Sequence, residues 1–130
     1  MSSTAELLAR ITSDPGLDEF CAALGIDLLV LFGSAAVDPS TANDIDLAYL
    51  APREVSRLAV INAFSERFGE GVDLMPLRSA GPIARWEALG QGKIVVELTP
   101  GTFAREQMAA YGEWHDTREF RELALRVMSA

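Results

Sequence analysis

The run Leu28-Leu29-Val30-Leu31-Phe32-Gly33-Ser34, followed after nine residues by Asp44-Ile45-Asp46-Leu47, most restricts what this chain can fold into. Ile26 to Phe32 is almost continuously apolar, as expected of a strand buried on both faces. Ile45, Leu47 and Tyr49 then alternate with Asp44, Asp46 and Ala48, the period of a strand with one apolar face and one functional or wet face. Residues two apart on a strand share a face. Asp44 and Asp46 can therefore hold a divalent cation beside a phosphate seated on the Gly33-Ser34 turn. Aspartate is depleted in strand interiors and two on one face repel, so a merely solvated edge explains the pair poorly.

The remaining pattern supplies a frame for these strands. Thr4 to Ile11 reads as a short helix, and Asp14-Pro15 as the cap and first residue of a second helix ending near Gly25. Residues 33–43 read as a turn. Pro52 fits the first turn of a helix reaching Phe68, with Val55, Leu58, Ile61 or Asn62, and Phe64 or Ser65 on its apolar side. Gly69-Glu70-Gly71 ends it, and Val72 to Leu77 forms a third strand. Ser79 or Gly81-Pro82 opens a helix to Leu89, and Lys93 to Leu98 is a short fourth strand. Thr99-Pro100-Gly101-Thr102 starts a helical segment, interrupted at Gly112, that runs to the chain end.

With 130 residues and no internal repeat or linker, one domain is expected: N-terminal helices over 1–25, a core over 26–98 and a helical segment over 99–130. The single cysteine, Cys21, lies in an apolar stretch and reads as a small core residue in a reducing compartment. The longest apolar run, Leu28 to Phe32, is too short to cross a bilayer, and the N-terminus has no leader pattern, so a cytoplasmic protein is expected. Ten arginines and Lys93 face nineteen acids, giving a net charge of −8 with no basic cluster in the sequence. That balance argues against general nucleic-acid binding but tolerates a nucleoside triphosphate whose charge is masked by Mg²⁺.

Phe32-Gly33-Ser34, Asn43-Asp44-Ile45-Asp46-Leu47 and Val72-Asp73-Leu74 together resemble the minimal nucleotidyltransferase (MNT) domains of the DNA polymerase β-like superfamily. The weaker stretch Arg85 to Glu97 is similar to the helix, glycine-containing turn and short strand of that family. The resemblance implies an α+β fold: a mixed sheet of three core strands plus a short fourth, flanked by helices. It also implies a function, since many such domains are antitoxins paired with a HEPN-domain toxin, a helical ribonuclease. Some of them transfer AMP from ATP to a tyrosine of that partner, within a hetero-oligomer.

Such a transfer must neutralise charge on both sides of the α-phosphorus and hold the attacking hydroxyl in line. Two Mg²⁺ ions and three carboxylates would do this. Asp44 and Asp46 would bridge the metals, and Asp73 would bind one of them and help activate the acceptor. Gly33 would let the backbone approach the phosphates of ATP, which Ser34 and the amides after it would bind. The chain also departs from the family pattern. The Ser34 to Asp44 spacing is one residue shorter than usual, Asn43 replaces a frequent Ser, and Ala35-Ala36-Val37 stands in place of an arginine-rich segment. Lys93 and Arg85 are candidate substitutes for the missing cation, each with a plain surface role as the alternative. His115, the only histidine, reads as a surface residue.

At the C-terminus Phe120, Leu123, Ala124, Val127 and Met128 fall at helical spacing and form an apolar stripe. It can pack on the domain's own sheet or receive a partner. Trp86, Tyr111 and Trp114 can serve either surface. Three readings follow: an active AMP-transferring antitoxin, a binding-only antitoxin of the same fold, or an unrelated α/β domain with a fortuitous acidic face. Three mutually repelling carboxylates favour the first.

Overall fold

The computed structural model describes residues 3–129, leaving outside it Met1, Ser2 and Ala130, where the expected 1–130 unit begins and ends. The chain runs α1 (Ser3–Thr12), α2 (Leu17–Ala23), β1 (Leu28–Phe32), α3 (Ser34–Val37), β2 (Ile45–Leu50), α4 (Arg57–Phe68), β3 (Val72–Pro76), a 3₁₀ turn (Leu77–Ser79), α5 (Pro82–Leu89), β4 (Lys93–Glu97), α6 (Thr102–Asp116) and α7 (Arg118–Ser129). The four strands form one mixed sheet in the order β3-β2-β1-β4. β1 pairs antiparallel with β2 and β4, whereas β2 and β3 run parallel. This is the expected α+β architecture.

A strand's alternation sends its side chains to opposite faces, and both faces of this sheet are covered. Leu29, Leu31, Ile45, Leu47 and Leu74 pack against α1, α2 and α4 through Ile11, Cys21, Val60 and Phe64. Phe20, Phe64 and Phe68 interlock there with ring centroids 5.1–6.0 Å apart. On the other face Leu28, Val30 and Ala48 meet Ala88 and Leu89 of α5 and Ala110 of α6. Ala48 is fully buried. The wet face anticipated for β2 is thus wet only at its Asp46 end, because α5 and α6 cover the rest.

Several boundaries differ from the sequence reading. Asp14 does not cap a helix at Pro15. Its carboxylate accepts from Gly16 N (2.9 Å) and from Arg67 Nε (2.7 Å) and Nη2 (3.0 Å), so the turn is tied to α4 and α2 starts at Leu17. These bonds, Arg67's first, hold the Asp14 carboxyl below its ordinary range. α4 begins at Arg57 rather than Pro52, because Ser56 is its cap and accepts from Ala59 N at 3.2 Å. Its buried side is Val60, Phe64 and Phe68; of the anticipated apolar side, Phe64 is buried and Val55, just before the helix, packs against the core, while Leu58 and Ile61 face solvent. β3 ends at Pro76, with Leu77 in the 3₁₀ turn. The helix after Gly101 passes through Gly112 and breaks at Thr117.

α7 has no buried residue, and Phe120 and Val127 are 74% and 67% exposed, so its apolar stripe does not pack on the sheet. It is joined to α6 by Arg121, whose guanidinium lies 4.2 Å from the Trp114 ring centroid and donates to Trp114 O at 3.0 Å. No helix among the described residues is long and apolar enough to cross a membrane.

Cys21 is fully buried, and burial first, then the charge of Asp18, pushes its thiol up to about 12. The thiolate is the nucleophile, so the native thiol is expected to resist iodoacetamide at pH 8 and to react fully in denaturant. Rapid labelling of the native protein, followed by mass spectrometry, would contradict this placement.

Candidate active site

Asp46 is the second residue of β2 and Asp73 the second of β3, and the two are register partners across the parallel ladder. Parallel neighbours lie about 4.8 Å apart and send register partners to the same face. That face belongs to α5 and α6, whose cover stops at Ala48 and leaves the Asp46 end open. Asp44 precedes β2 and is fixed from both sides: Thr4 Oγ donates to Asn43 O at 3.2 Å, and Ile45 N donates to Gly71 O at 3.0 Å. Asp44 and Asp73 are exposed and Asp46 is half-buried.

The Asp46 carboxyl is raised above its ordinary value by burial first, then by the negative charges of Asp73 and Asp44. Asp46 thus feels the charge of both neighbouring acids. Among the described residues no three His, Cys, Asp or Glu side chains are drawn together into a formed metal cage. The donor chemistry nonetheless suits a hard divalent cation, which takes carboxylate oxygens and relieves such repulsion.

Gly33 follows β1 with φ 74° and ψ −158°, a conformation open essentially to glycine alone. A Cβ there would collide with the Asp46 carboxylate. The main chain thus passes directly against the acid. Ser34 opens α3, a single helical turn through Val37 where the sequence suggested only an irregular turn. Ala35 and Ala36 are buried and anchor that turn, while Ser34 and Val37 are exposed. Asp38, farther along, is committed to its own loop, accepting from Ser40 Oγ at 2.6 Å, and those bonds hold its carboxyl below the usual range.

A cleft of roughly 540 Å³ opens beside Gly33 and Asp46, within the size range of small-molecule sites. Phe32, Ala36 and Val37 line one side; Glu87, Gln91 and Lys93 line another. The second group is placed by Gly92, where a Cβ would run into Ala88 O and Val30 Cγ1, so only glycine lets the turn after α5 sit on β1. Lys93 is therefore at the cleft. Arg85 is not: its Nη2 donates to Leu77 O at 2.7 Å and its Nη1 meets Glu113 at 3.5 Å, which fastens α5 to its neighbours. His115 is exposed on α6 beside Tyr111. The sequence reading did not single out Glu87 and Gln91. Their only signal was their position within the stretch 85–97.

A mixed four-stranded sheet with a glycine turn against one of three acids, two on adjacent strands and one just before them, is the design of a nucleotidyl-transferring domain. The chain matches the polymerase β nucleotidyltransferase family model over residues 17–100 and belongs to that family. Comparison with curated protein sequences finds no significant match. Three solved structures have a similar fold. One is a toxin–antitoxin with AMP-PNP, with TM-score 0.73 and 22% identity over 86% of this chain and 94% of that chain. Another is the toxin–antitoxin MntA-HpeT bearing two Asp→Glu substitutions two positions apart, with TM-score 0.73 and 20% identity over the same shares. The third is a tri-AMPylated Shewanella oneidensis HEPN toxin in complex with MNT antitoxin, with TM-score 0.66 and 23% identity over 82% and 85%.

Proposed function

We propose that this chain is an MNT-type antitoxin that transfers AMP from Mg²⁺-ATP to a hydroxyl, a tyrosine, of a HEPN-domain toxin. One observation carries the reading: Asp46 and Asp73 stand in register on a single open face, Asp44 lies two residues before Asp46 and adds its charge there, and Gly33 lies against Asp46. The similar structures support it, since one holds AMP-PNP, one holds an AMPylated HEPN toxin, and one carries paired Asp→Glu changes at the spacing of Asp44 and Asp46.

Asp44 and Asp46 would hold both ions and Asp73 one. Bound Mg²⁺ would supply neutralisation of charge on the attacking and leaving sides of phosphorus. Gly33 brings the main chain close to the phosphates, and the Ser34 hydroxyl and α3 amides donate to their oxygens. Asp73, the more exposed acid of the register pair, would help activate the acceptor hydroxyl. Lys93 takes over the phosphate charge that Ala35-Ala36-Val37 does not provide. Residues 26–98 would form the catalytic core.

Lys93→Ala is expected to raise the nucleotide KM roughly tenfold or more, since a charged hydrogen bond contributes about 1.5–3 kcal/mol, with a smaller change in kcat. An unchanged KM would remove Lys93 from phosphate binding. The function itself is tested by the intact mass of the HEPN partner after co-expression with this chain or with its Asp44→Asn/Asp46→Asn variant. Addition of AMP that vanishes with the variant is the expected result.

A second reading, neutralisation by binding alone, draws on α3, which carries no cation and leaves Val37 84% exposed. Co-purification of the two chains with no mass gain would select it.

A further inference from the structure

The strands that carry Asp46 and Asp73 at their starts open at their other ends onto a separate cleft of about 450 Å³. Arg53, Arg57 and Arg78 line it, together with Tyr49, Ser79 and a single acid, Glu54. Three of the ten arginines of a chain with net charge −8 thus border one cavity, giving its wall a net charge of +2 (three Arg less one Glu). None of the three is in a salt bridge among the described residues, unlike Arg67, Arg85 and Arg118.

Two of these side chains are held in place. Arg57 Nη2 donates to Leu74 O at 3.0 Å and Arg78 Nη1 to Pro52 O at 3.2 Å. Each bond fixes one corner of a planar fork and leaves its remaining N–H groups to meet an anion, the geometry that suits a phosphate or carboxylate. Arg57 is also the first residue of α4, whose first turn contains no acid, so the positive end of a twelve-residue helix borders the same space. The cleft lies outside the carboxyl ends of a parallel strand pair, the position at which open sheets receive ligands.

We infer that this cleft binds a small phosphate monoester, its phosphoryl group on Arg53, Arg57 and Arg78 and an uncharged hydroxyl-bearing body toward Glu54 and Ser79. Glu54 opposes an anion that fills the whole cleft, such as an acidic peptide, yet can accept hydrogen bonds from hydroxyls. The apolar wall, Ala51, Val55 and Pro76, accommodates a compact body. This site faces away from the aspartates, and its occupancy requires no nucleotidyl transfer.

The test is an NMR titration of the full chain with ribose 5-phosphate, in EDTA so that no divalent metal draws the ligand to the acidic site. Saturable shifts are expected at amides 51–57 and 76–79, with ribose alone giving none. Arg53→Gln should weaken the response roughly tenfold at an unchanged melting temperature, because Arg53, unlike Arg57 and Arg78, holds no backbone carbonyl among the described residues. Shifts confined to 33–37 and 44–46, an equal response to ribose, no saturation, or an Arg53→Gln protein that binds as well as wild type would each overturn the assignment.

Discussion

Asp46→Asn is expected to slow nucleotidyl transfer by about 10²–10³-fold while making the metal-free protein more stable, two effects of opposite sign from one substitution. The loss follows because Asp46 lies against Gly33 and pairs in register with Asp73, and an amide oxygen neutralises no cation charge. The gain follows from linkage. The native carboxyl lies above its ordinary value of 3.8, raised by burial and then by Asp73 and Asp44. The folded state therefore holds this proton more tightly than the unfolded chain does. Stability falls as pH rises from 3.8 through the raised native value, and the penalty is complete above it. The variant carries no such penalty, so at pH 7 in EDTA it should melt higher than wild type, and below 3.8 the two should converge. With Mg²⁺ the order should reverse, because only wild type gains from binding the ion. A variant that melts lower at pH 7 in EDTA would disprove the account.

Gly33→Ala is the second large effect. A non-glycine residue at φ 74°, ψ −158° costs about 1–3 kcal/mol, and here the new methyl also strikes the Asp46 carboxylate. At about 4 °C per kcal/mol for a chain of this size, the melting temperature should fall by roughly 4–12 °C, and activity should be lost through displacement of Asp46. The two causes separate in an Asp46→Ala background, where the collision is gone and only the backbone strain remains. A smaller stability loss in that background is expected, and equal losses would show that the contact is immaterial.

Which parts of this arrangement could be read in advance follows from the range of the forces involved. The turn at Gly33 and the strand positions of Asp46 and Asp73 were legible because strand alternation and turn chemistry are local, whereas Asp44, read on the same strand as Asp46, precedes it. The register that sets Asp46 beside Asp73 was not, since a parallel pairing depends on how α4 packs. α4 was phased correctly at Phe64 but not at Leu58 and Ile61, which mimic an apolar side, and only tertiary packing selects Val60 and Phe68 in their place. Its start was misplaced because Pro52 is as acceptable in a loop as in a first helical turn. Ala48 escaped notice as a core residue because the helices that bury it, through Ala88, Leu89 and Ala110, come much later in the chain. Glu87 and Gln91 reach the cleft only through the fit of Gly92 onto Val30, a contact that no periodicity announces.

The parallel pairing of β2 with β3 also bears on how the protein folds. Asp46 and Asp73 meet only after the whole of α4 has crossed the sheet, a non-local step of the slow kind. If that step follows the folding barrier, the repulsion among the acids is absent from the transition state and present only in the finished molecule. Charge removal at Asp46 should then lengthen the lifetime of the native state and leave its rate of formation nearly untouched.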